Sequence, residues 1–525
     1  MDIHIEKRDC IHWRAPGRVI ARLLIRLLFA ILLMLSLGCI WASAAYDNIS
    51  LEEVLFYLTM PLRGTAKQFS HELIKCVLIP SVAIIALFVF LMLPRRREIW
   101  LVAKNERAFS LLPLRLPLPA LSVIAAVWMC ILLPVGDQLL GIRSWLDGML
   151  SQSQIIEERY VDPNTVSVIF PERKRNLITI YIESAESTNQ DEMHGGLMDQ
   201  NYIPEMTKLC EENISFSRGD LFMGASVAPA CGWTVAGMVA ETGGIPLKLF
   251  KYDEEFIDNM GYSFAKFLPG ATMMGDILER EGYRNVFMCG SDFDFGGRRQ
   301  LYAQHGGYQI YDYYTAMQDG WIPEGYSYGW GFEDVKLYSF AKKVLTELAV
   351  DDKPFHLGIL TVDTHDPGWL CELCREDHVG ENIYARTVRC SSRQVWDFVE
   401  WCKTQPFYED TSIVITGDHV SMTTSFYAEN APTYDKHNGT RDRFVYNCFI
   451  NAAILPAREK NRIFTTMDFF PTTLAAIGCH IEGERLGLGT NLFSERETLS
   501  EEIGEEIFFD ELRKKSVYYD TKLLR

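Results

Sequence analysis

The sequence predicts an α/β architecture, with transmembrane helices first and then a globular domain built on a mostly parallel central sheet flanked by helices. Three observations lead there. Apolar, β-branched runs of strand length end abruptly on acidic, polar or histidine residues. Those runs alternate with helical patterns such as residues 392–403, SRQVWDFVEWCK, as βαβ units do. Long uncharged stretches are confined to the chain before Gly141, and the remainder has the composition of a domain with a large core.

Residues 1–145 form the membrane part. Three uncharged segments, 27–45, 76–93 and 116–136, each approach the roughly 20 residues that a hydrocarbon core requires. Lys7, Arg8, Arg14, Arg18, Arg22 and Arg26 precede the first span. Arg95, Arg96, Arg97, Lys104, Arg107 and Arg115 separate the second from the third. The loop between the first and second is acidic on balance. The positive-inside bias therefore puts the N-terminus in the cytoplasm and everything after Gly141 on the far side. Trp41-Ala42-Ser43-Ala44-Ala45 also reads as a signal-peptide cleavage site. The domain is external under either reading, because the other two spans cancel.

A polar connector, 146–175, leads into the globular domain, 176–495. Its strands are residues 176–182 (NLITIYI, stopping at Glu183), 284–289 (RNVFMC, stopping at Gly290-Ser291-Asp292), 355–362 (FHLGILTV, then Asp363-Thr364-His365) and 411–416 (TSIVIT, running into Gly417-Asp418-His419). Runs this apolar suit strands buried on both faces of a parallel sheet. Cys231-Gly232-Trp233-Thr234 is a turn that opens a small-residue helix. The tail, 496–525, is charged and is expected to pack peripherally.

A net charge of −18, with no basic patch interleaved with aromatics, excludes nucleic acid as a partner. Thirteen cysteines are present. Cys371, Cys374 and Cys390 are the tightest group. With no second CxxC or C-x-x-H partner, the spacing favours a disulfide from Cys371 or Cys374 to Cys390 over a zinc motif.

Ligands of open α/β sheets bind beyond the carboxyl ends of the strands. Glu183 and Asp418-His419 can therefore converge there as ligands for one divalent ion, with Glu186 a competing ligand. The alternative is a helix-capping Asp beside a satisfied His. One Glu, one Asp, one His and a Thr hydroxyl suit Mn²⁺ or Zn²⁺ equally. Thr234 is the expected nucleophile: a cation lowers the pKa of its hydroxyl, and a helix start favours phosphate. Its alternative is an ordinary N-cap. His365 is placed to protonate a leaving oxygen or to grip phosphate. Arg298 and Arg299 offer planar contacts to phosphate oxygens, or else form a solvated surface. His437 is a further binding candidate.

Together these residues resemble the membrane-anchored phosphoglycerol transferases, which include the lipoteichoic acid synthases and the enzymes that decorate osmoregulated periplasmic glucans, within the sulfatase/alkaline-phosphatase superfamily. The resemblance lies in NLITIYIESAES (176–187), GWTVAGMVAETGGIPL (232–247), TVDTHDP (361–367), TGDH (416–419) and MDFFPTTLAAIGCHIEGERLGLGTNLFS (467–494). The last of these and ISLEEVLFYLTMPLRG (49–64) look specific to the glucan-modifying branch. The resemblance implies a sulfatase-like fold, with Glu183, Asp418 and His419 as metal ligands and Thr234 as a nucleophile that also touches the metal. It places His365, Asp292 and Arg298 on the phosphoglycerol group. Two departures, Gly290 where some relatives carry His and Gly296 where they carry an aromatic, imply a different headgroup pocket. Many relatives also have four or five spans.

The implied activity is transfer of phosphoglycerol from phosphatidylglycerol to a glycan or other cell-envelope acceptor through a phospho-threonine, releasing diacylglycerol. The implied location is a bacterial inner (cytoplasmic) membrane, crossed several times, with the catalytic domain in the periplasm. The alternatives are a phosphoethanolamine transferase, a phosphodiester hydrolase and a non-catalytic envelope scaffold. Phosphoethanolamine transferases usually carry Gly-Glu-Thr where this chain has Glu183-Ser184-Ala185. A true sulfatase is disfavoured because Cys231 is followed by Gly232 and Trp233, with Val235 where Arg is needed.

Overall fold

The computed structural model describes residues 3–9, 16–45, 51–59, 75, 78–83, 86, 97–103, 108–110, 118–248, 266–375, 378–434 and 442–525. The chain forms two units, Met1–Tyr46 with Lys67–Ile142, and Asp47–Ala66 with Arg143–Arg525.

In the first unit, helix Pro16–Ala45 contains the first predicted span and helix Leu118–Leu140 most of the third. Among the described residues, Ser122–Leu140 alone is long and apolar enough to cross a membrane; Leu27–Cys39 is apolar but shorter. The two helices bury Phe29, Leu32 and Ala125 together, and Trp128 Nε1 donates to Ser36 Oγ at 3.0 Å. Most of the predicted 76–93 span lies outside the described residues. Ile3–Asp9, Arg97–Ala103 and Ala108–Ser110 pair antiparallel, strands that their basic flanks did not suggest.

The second unit is built on a six-stranded sheet. Its strands are β1 (Asn176–Ile182), β2 (Arg284–Cys289), β3 (Gln309–Tyr311), β4 (Phe355–Leu360), β5 (Thr411–Gly417) and β6 (Asn447–Ile450). They lie in the order β6-β5-β1-β4-β2-β3, with β1 to β5 mutually parallel and β6 antiparallel at the edge. Four helices matter for the site: α1 (Thr234–Gly243), α2 (Arg298–Gln304), α3 (Asp334–Leu348) and α4 (Ile383–Lys403). On β1, Ile178, Ile180 and Ile182 join the core beneath α3 and α4. Tyr181 faces the opposite way into the core with Val235, Ala236 and Val239 of α1. Both faces are covered, which is why these strands read as continuous apolar runs.

Three sequence expectations are corrected. β4 ends at Leu360 rather than Val362. The Asp334 carboxylate accepts the Val362 and Asp363 amides at 2.8 and 2.9 Å, drawing them out of the ladder. Helix α4 begins at Ile383 rather than Ser392, because Asn382 caps it by accepting from the Ala385 amide. The C-terminal tail is not peripheral: Leu499, Phe508, Leu512, Tyr519 and Leu523 are buried in the α1 core, and Arg218 holds Glu505 through two hydrogen bonds.

Register levels the strand ends. Ile182 lies opposite Gly417 and Tyr181 opposite Leu360, so Glu183, Asp418 and Thr361 emerge side by side. Helix α1 closes on this edge through Gly237, where an added Cβ would lie 2.0 Å from the Asp418 carbonyl oxygen. Gly237→Ala is expected to cost about 1–3 kcal/mol of stability, read from the unfolding midpoint.

His356, in the middle of β4, is fully buried between Thr179 Oγ1 (2.9 Å) and Tyr308 OH (2.8 Å), and burial pushes its pKa down to about 3. The unfolded chain takes up a proton near pH 6.5 that the native imidazole refuses. This residue therefore lowers stability progressively as pH falls from about 6.5 towards 3, by about 1.4 kcal/mol per pH unit. His356→Gln is expected to flatten that part of the stability–pH curve, as measured by denaturant unfolding.

Candidate metal and phosphoryl-transfer site

Glu183 leaves β1 and is followed by Ser184, whose φ is 56°. That left-handed turn, unusual for a residue other than glycine, directs the Ser184 amide to Asp418 Oδ1 at 2.8 Å and Ser184 Oγ to Glu183 Oε1 at 2.9 Å. The Glu183 backbone is held from the segment that follows β4: its amide donates to Thr361 Oγ1 at 3.0 Å and its carbonyl accepts from Thr364 Oγ1 at 2.5 Å.

Asp418 and His419 follow β5. Asp418 Oδ1 also accepts from the His419 amide at 2.9 Å, while Oδ2 is buried with no hydrogen-bond partner. His419 Nδ1 faces the Val420 carbonyl at 2.9 Å, an arrangement that fixes the proton on Nδ1 and leaves Nε2 as the donor atom facing the site. Nε2 is 3.3 Å from Glu183 Oε1 and 3.5 Å from Asp418 Oδ2. Ligand atoms of the three residues lie within 4.8 Å of one another, all buried.

Burial and mutual charge shift the ionisation of all three groups. Burial and the charge of Glu183 raise the Asp418 pKa to about 7. Burial opposes charge on Glu183, yet His419 outweighs it and lowers the Glu183 pKa to about 2. Burial likewise opposes charge on His419, but Asp418 and Glu183 hold its pKa at about 10. Two carboxylates, a correctly oriented imidazole and an orphaned carboxylate oxygen fit one divalent cation.

Thr234 is the first residue of α1, with Trp233 in the N-cap position, so the ordinary N-cap reading does not hold. Its Oγ1 lies 3.2 Å from Glu183 Oε2 and 3.5 Å from His419 Nε2. The hydroxyl therefore joins the cluster at the positive end of a helix.

The remaining candidates divide. His365 is half-buried, with its ring centroid 4.5 Å from that of Trp330 and Nδ1 3.1 Å from the Asp366 carbonyl. Arg298 is buried rather than surface-exposed. Gly296 and Gly297, with φ of 67° and 78°, turn the chain so that its guanidinium enters the fold. There Nη2 donates to Ser291 Oγ at 3.1 Å and to the Asp292 carbonyl at 2.8 Å. Asp292 is buried, and its Oδ1 accepts from the Asp294 amide. Arg299 pairs instead with Asp294 and Asp312. His437 lies outside the described residues.

Glu186, the competing ligand, is taken elsewhere. Arg443 binds both its carboxylate oxygens, and Ser421 N and Tyr427 OH donate to it at 2.7 and 2.8 Å. The guanidinium stacks 3.7 Å above the Tyr427 ring. No role was read from the sequence for Ser184, Thr361, Thr364, Trp330 or Arg443; Ser184 adjoins Glu183 and Thr361 and Thr364 lie in the His365 motif, whereas Trp330 and Arg443 carried no positional signal. Arg443→Ala leaves Glu186 buried without its counter-charge and is expected to cost about 3–5 kcal/mol, read by denaturant unfolding.

The chain is 32% identical over 256 residues to a phosphoglycerol transferase I from Xanthomonas axonopodis pv. citri, 48% of this chain and 34% of that protein. It is 32% identical over 334 residues to one from Salmonella choleraesuis, covering 62% and 40%. It thus spans about a third of the length of the first of these relatives. Among solved structures, lipooligosaccharide phosphoethanolamine transferase A from Neisseria meningitidis shares the fold, with a TM-score of 0.50 and 14% identity, covering 86% of this chain and 84% of that one. The sulfatase family profile matches residues 175–479, more than half the chain and the whole span from the start of β1 through β6, so this protein belongs to the sulfatase family.

Proposed function

We propose that the protein transfers phosphoglycerol from phosphatidylglycerol to a glycan or another cell-envelope hydroxyl, through a phospho-threonine on Thr234, releasing diacylglycerol. The observation that carries this reading is the position of Thr234 Oγ1, on the first turn of α1 and within 3.5 Å of both Glu183 and His419. The relatives named phosphoglycerol transferase I support the choice of headgroup.

A divalent cation, Mn²⁺ or Zn²⁺, held by Glu183, Asp418 and His419 would lower the hydroxyl pKa and neutralise charge on the phosphoryl oxygens. Thr234 Oγ1 attacks phosphorus, its proton leaving by way of Glu183 Oε2, and the bond from phosphorus to the diacylglycerol oxygen breaks. His365 supplies the proton that the leaving oxygen needs. An acceptor hydroxyl then attacks phosphorus, giving its proton to His365, and the bond from phosphorus to Thr234 Oγ1 breaks as Oγ1 regains its proton by way of Glu183 Oε2. Asp292, Arg298 and His437 bind the phosphoglycerol group, with Arg298 fixed in advance by its contacts to Ser291 and Asp292.

The membrane part, residues 1–145, holds the domain on the periplasmic side of an inner membrane, where the donor lipid resides. Anchoring there raises the effective donor concentration. Vesicles carrying fluorescent phosphatidylglycerol and phosphatidylethanolamine are expected to yield diacylglycerol from the former alone. Thr234→Ala is expected to lose at least about 10³-fold in turnover while still folding and binding metal. Diacylglycerol from phosphatidylethanolamine refutes the headgroup assignment, and normal turnover in Thr234→Ala refutes the covalent route.

A further inference from the structure

Cys371, Cys374 and Cys390 have no part in the chemistry above. Cys371 and Cys374 bracket a tight turn in the loop that follows His365, closed by the Cys374 amide on the Cys371 carbonyl at 3.1 Å. Cys390 comes from α4. Cys371 Sγ is 3.7 Å from Cys374 Sγ and 3.7 Å from Cys390 Sγ, and the three sulfurs lie within 4.8 Å of one another. A disulfide needs about 2.05 Å. Two sulfurs of a tetrahedral zinc, each bonded at about 2.3 Å, stand about 3.8 Å apart. The observed spacing is too long for a disulfide and matches the separation of two thiolates on one ion.

The surroundings point the same way. The Cys371 amide is directed at Cys374 Sγ at 3.3 Å. Gln394, one turn beyond Cys390 and buried, places its Nε2 3.3 Å from Cys390 Sγ and 3.7 Å from Cys371 Sγ, while its Oε1 has no hydrogen-bond partner. N–H donors directed at sulfur stabilise thiolate over thiol. The same amide turned over presents Oε1 as an oxygen donor, since its two ends are assigned from the hydrogen-bond network. Cys371 and Cys390 are buried and Cys374 is partly exposed, which leaves a route for the ion.

We propose that Cys371, Cys374 and Cys390 form a structural zinc site that clamps the His365 loop to α4, with the fourth position filled by water or the Gln394 amide. Three thiolates select Zn²⁺ over Mn²⁺. Loading exchanges three thiol protons for the cation. The loop so held also runs through Trp369, whose amide donates to the Asp363 carbonyl at 2.8 Å, and Leu370, whose carbonyl accepts from Tyr328 OH at 2.6 Å. The sequence brought the same three cysteines together and favoured a disulfide only because no fourth Cys or His ligand stands at zinc-motif spacing.

The test uses full-length protein purified anaerobically without added thiol. Elemental analysis is expected to show one zinc equivalent that is lost in Cys390→Ser. Cobalt-loaded protein is expected to show a thiolate-to-cobalt charge-transfer band that disappears in Cys390→Ser and persists in Asp418→Asn, which separates this site from the carboxylate–imidazole cluster. If Cys390→Ser does not fold, Cys374→Ser at the exposed corner gives the same readout. A disulfide among the three cysteines in a non-reducing peptide map, or a cobalt spectrum without the thiolate band, overturns the proposal. Neither outcome touches the lipid assay that tests the transferase reading.

Discussion

Glu183 and Asp418 are carboxylates carried on adjacent parallel strands into one buried volume, and their mutual repulsion is the constraint around which the surrounding structure is arranged. Two like charges less than 5 Å apart repel by roughly 3–4 kcal/mol at an effective dielectric constant near 20. Backbone amides do part of the compensation: Asp418 Oδ1 takes two of them. His419 supplies more, and its Nδ1 contact to a carbonyl aims Nε2 at both carboxylates. What remains is an unsatisfied oxygen, Asp418 Oδ2, where a cation would relieve the repulsion, with the Thr234 hydroxyl beside Glu183.

That arrangement depends on keeping other charges out of it. Glu186, three residues from Glu183, would add a third carboxylate. Arg443 removes it by holding it in a separate buried pair, braced by Tyr427 and Ser421. Close approach matters as much as charge. Helix α1 can bring Thr234 to the strand ends only because Gly237 lets its backbone rest against the Asp418 carbonyl. The left-handed Ser184 is a local strain of the kind that persists where surrounding contacts over-determine it.

The groups around the cluster are held with different stiffness. Glu183, Asp418 and His419 sit directly on strand ends whose ladder fixes them. His365, Asp292 and Arg298 sit on loops, and each loop has its own brace: Asp334 reaching under residues 362 and 363, and Ser291 and the Asp292 carbonyl holding the Arg298 guanidinium. Side chains fixed on strand ends and others on braced loops divide the site into a rigid part and a part that can vary in shape.

Local information lay in the sequence itself. Strands β1, β2 and β5 were legible almost to the residue, since burial on both faces leaves an unbroken apolar run. Their polar endings singled out Glu183, Asp418 and His419, because parallel strands deliver their carboxyl ends to one edge, while Thr234 was read from the turn that opens α1. Long-range partnership decided the rest. Asp334 shortened β4, Asn382 lengthened α4, and the tail entered the core through apolar residues scattered among charges. That Glu186 is drawn away from Asp418 and His419 was decided by Arg443, far along the chain, and the inward turn of Arg298 by Gly296 and Gly297, whose φ the sequence does not state. A sequence states which groups are present. Only the tertiary structure brings Arg443 to Glu186 and α4 to the Cys371 loop, because those contacts join segments that share no local pattern.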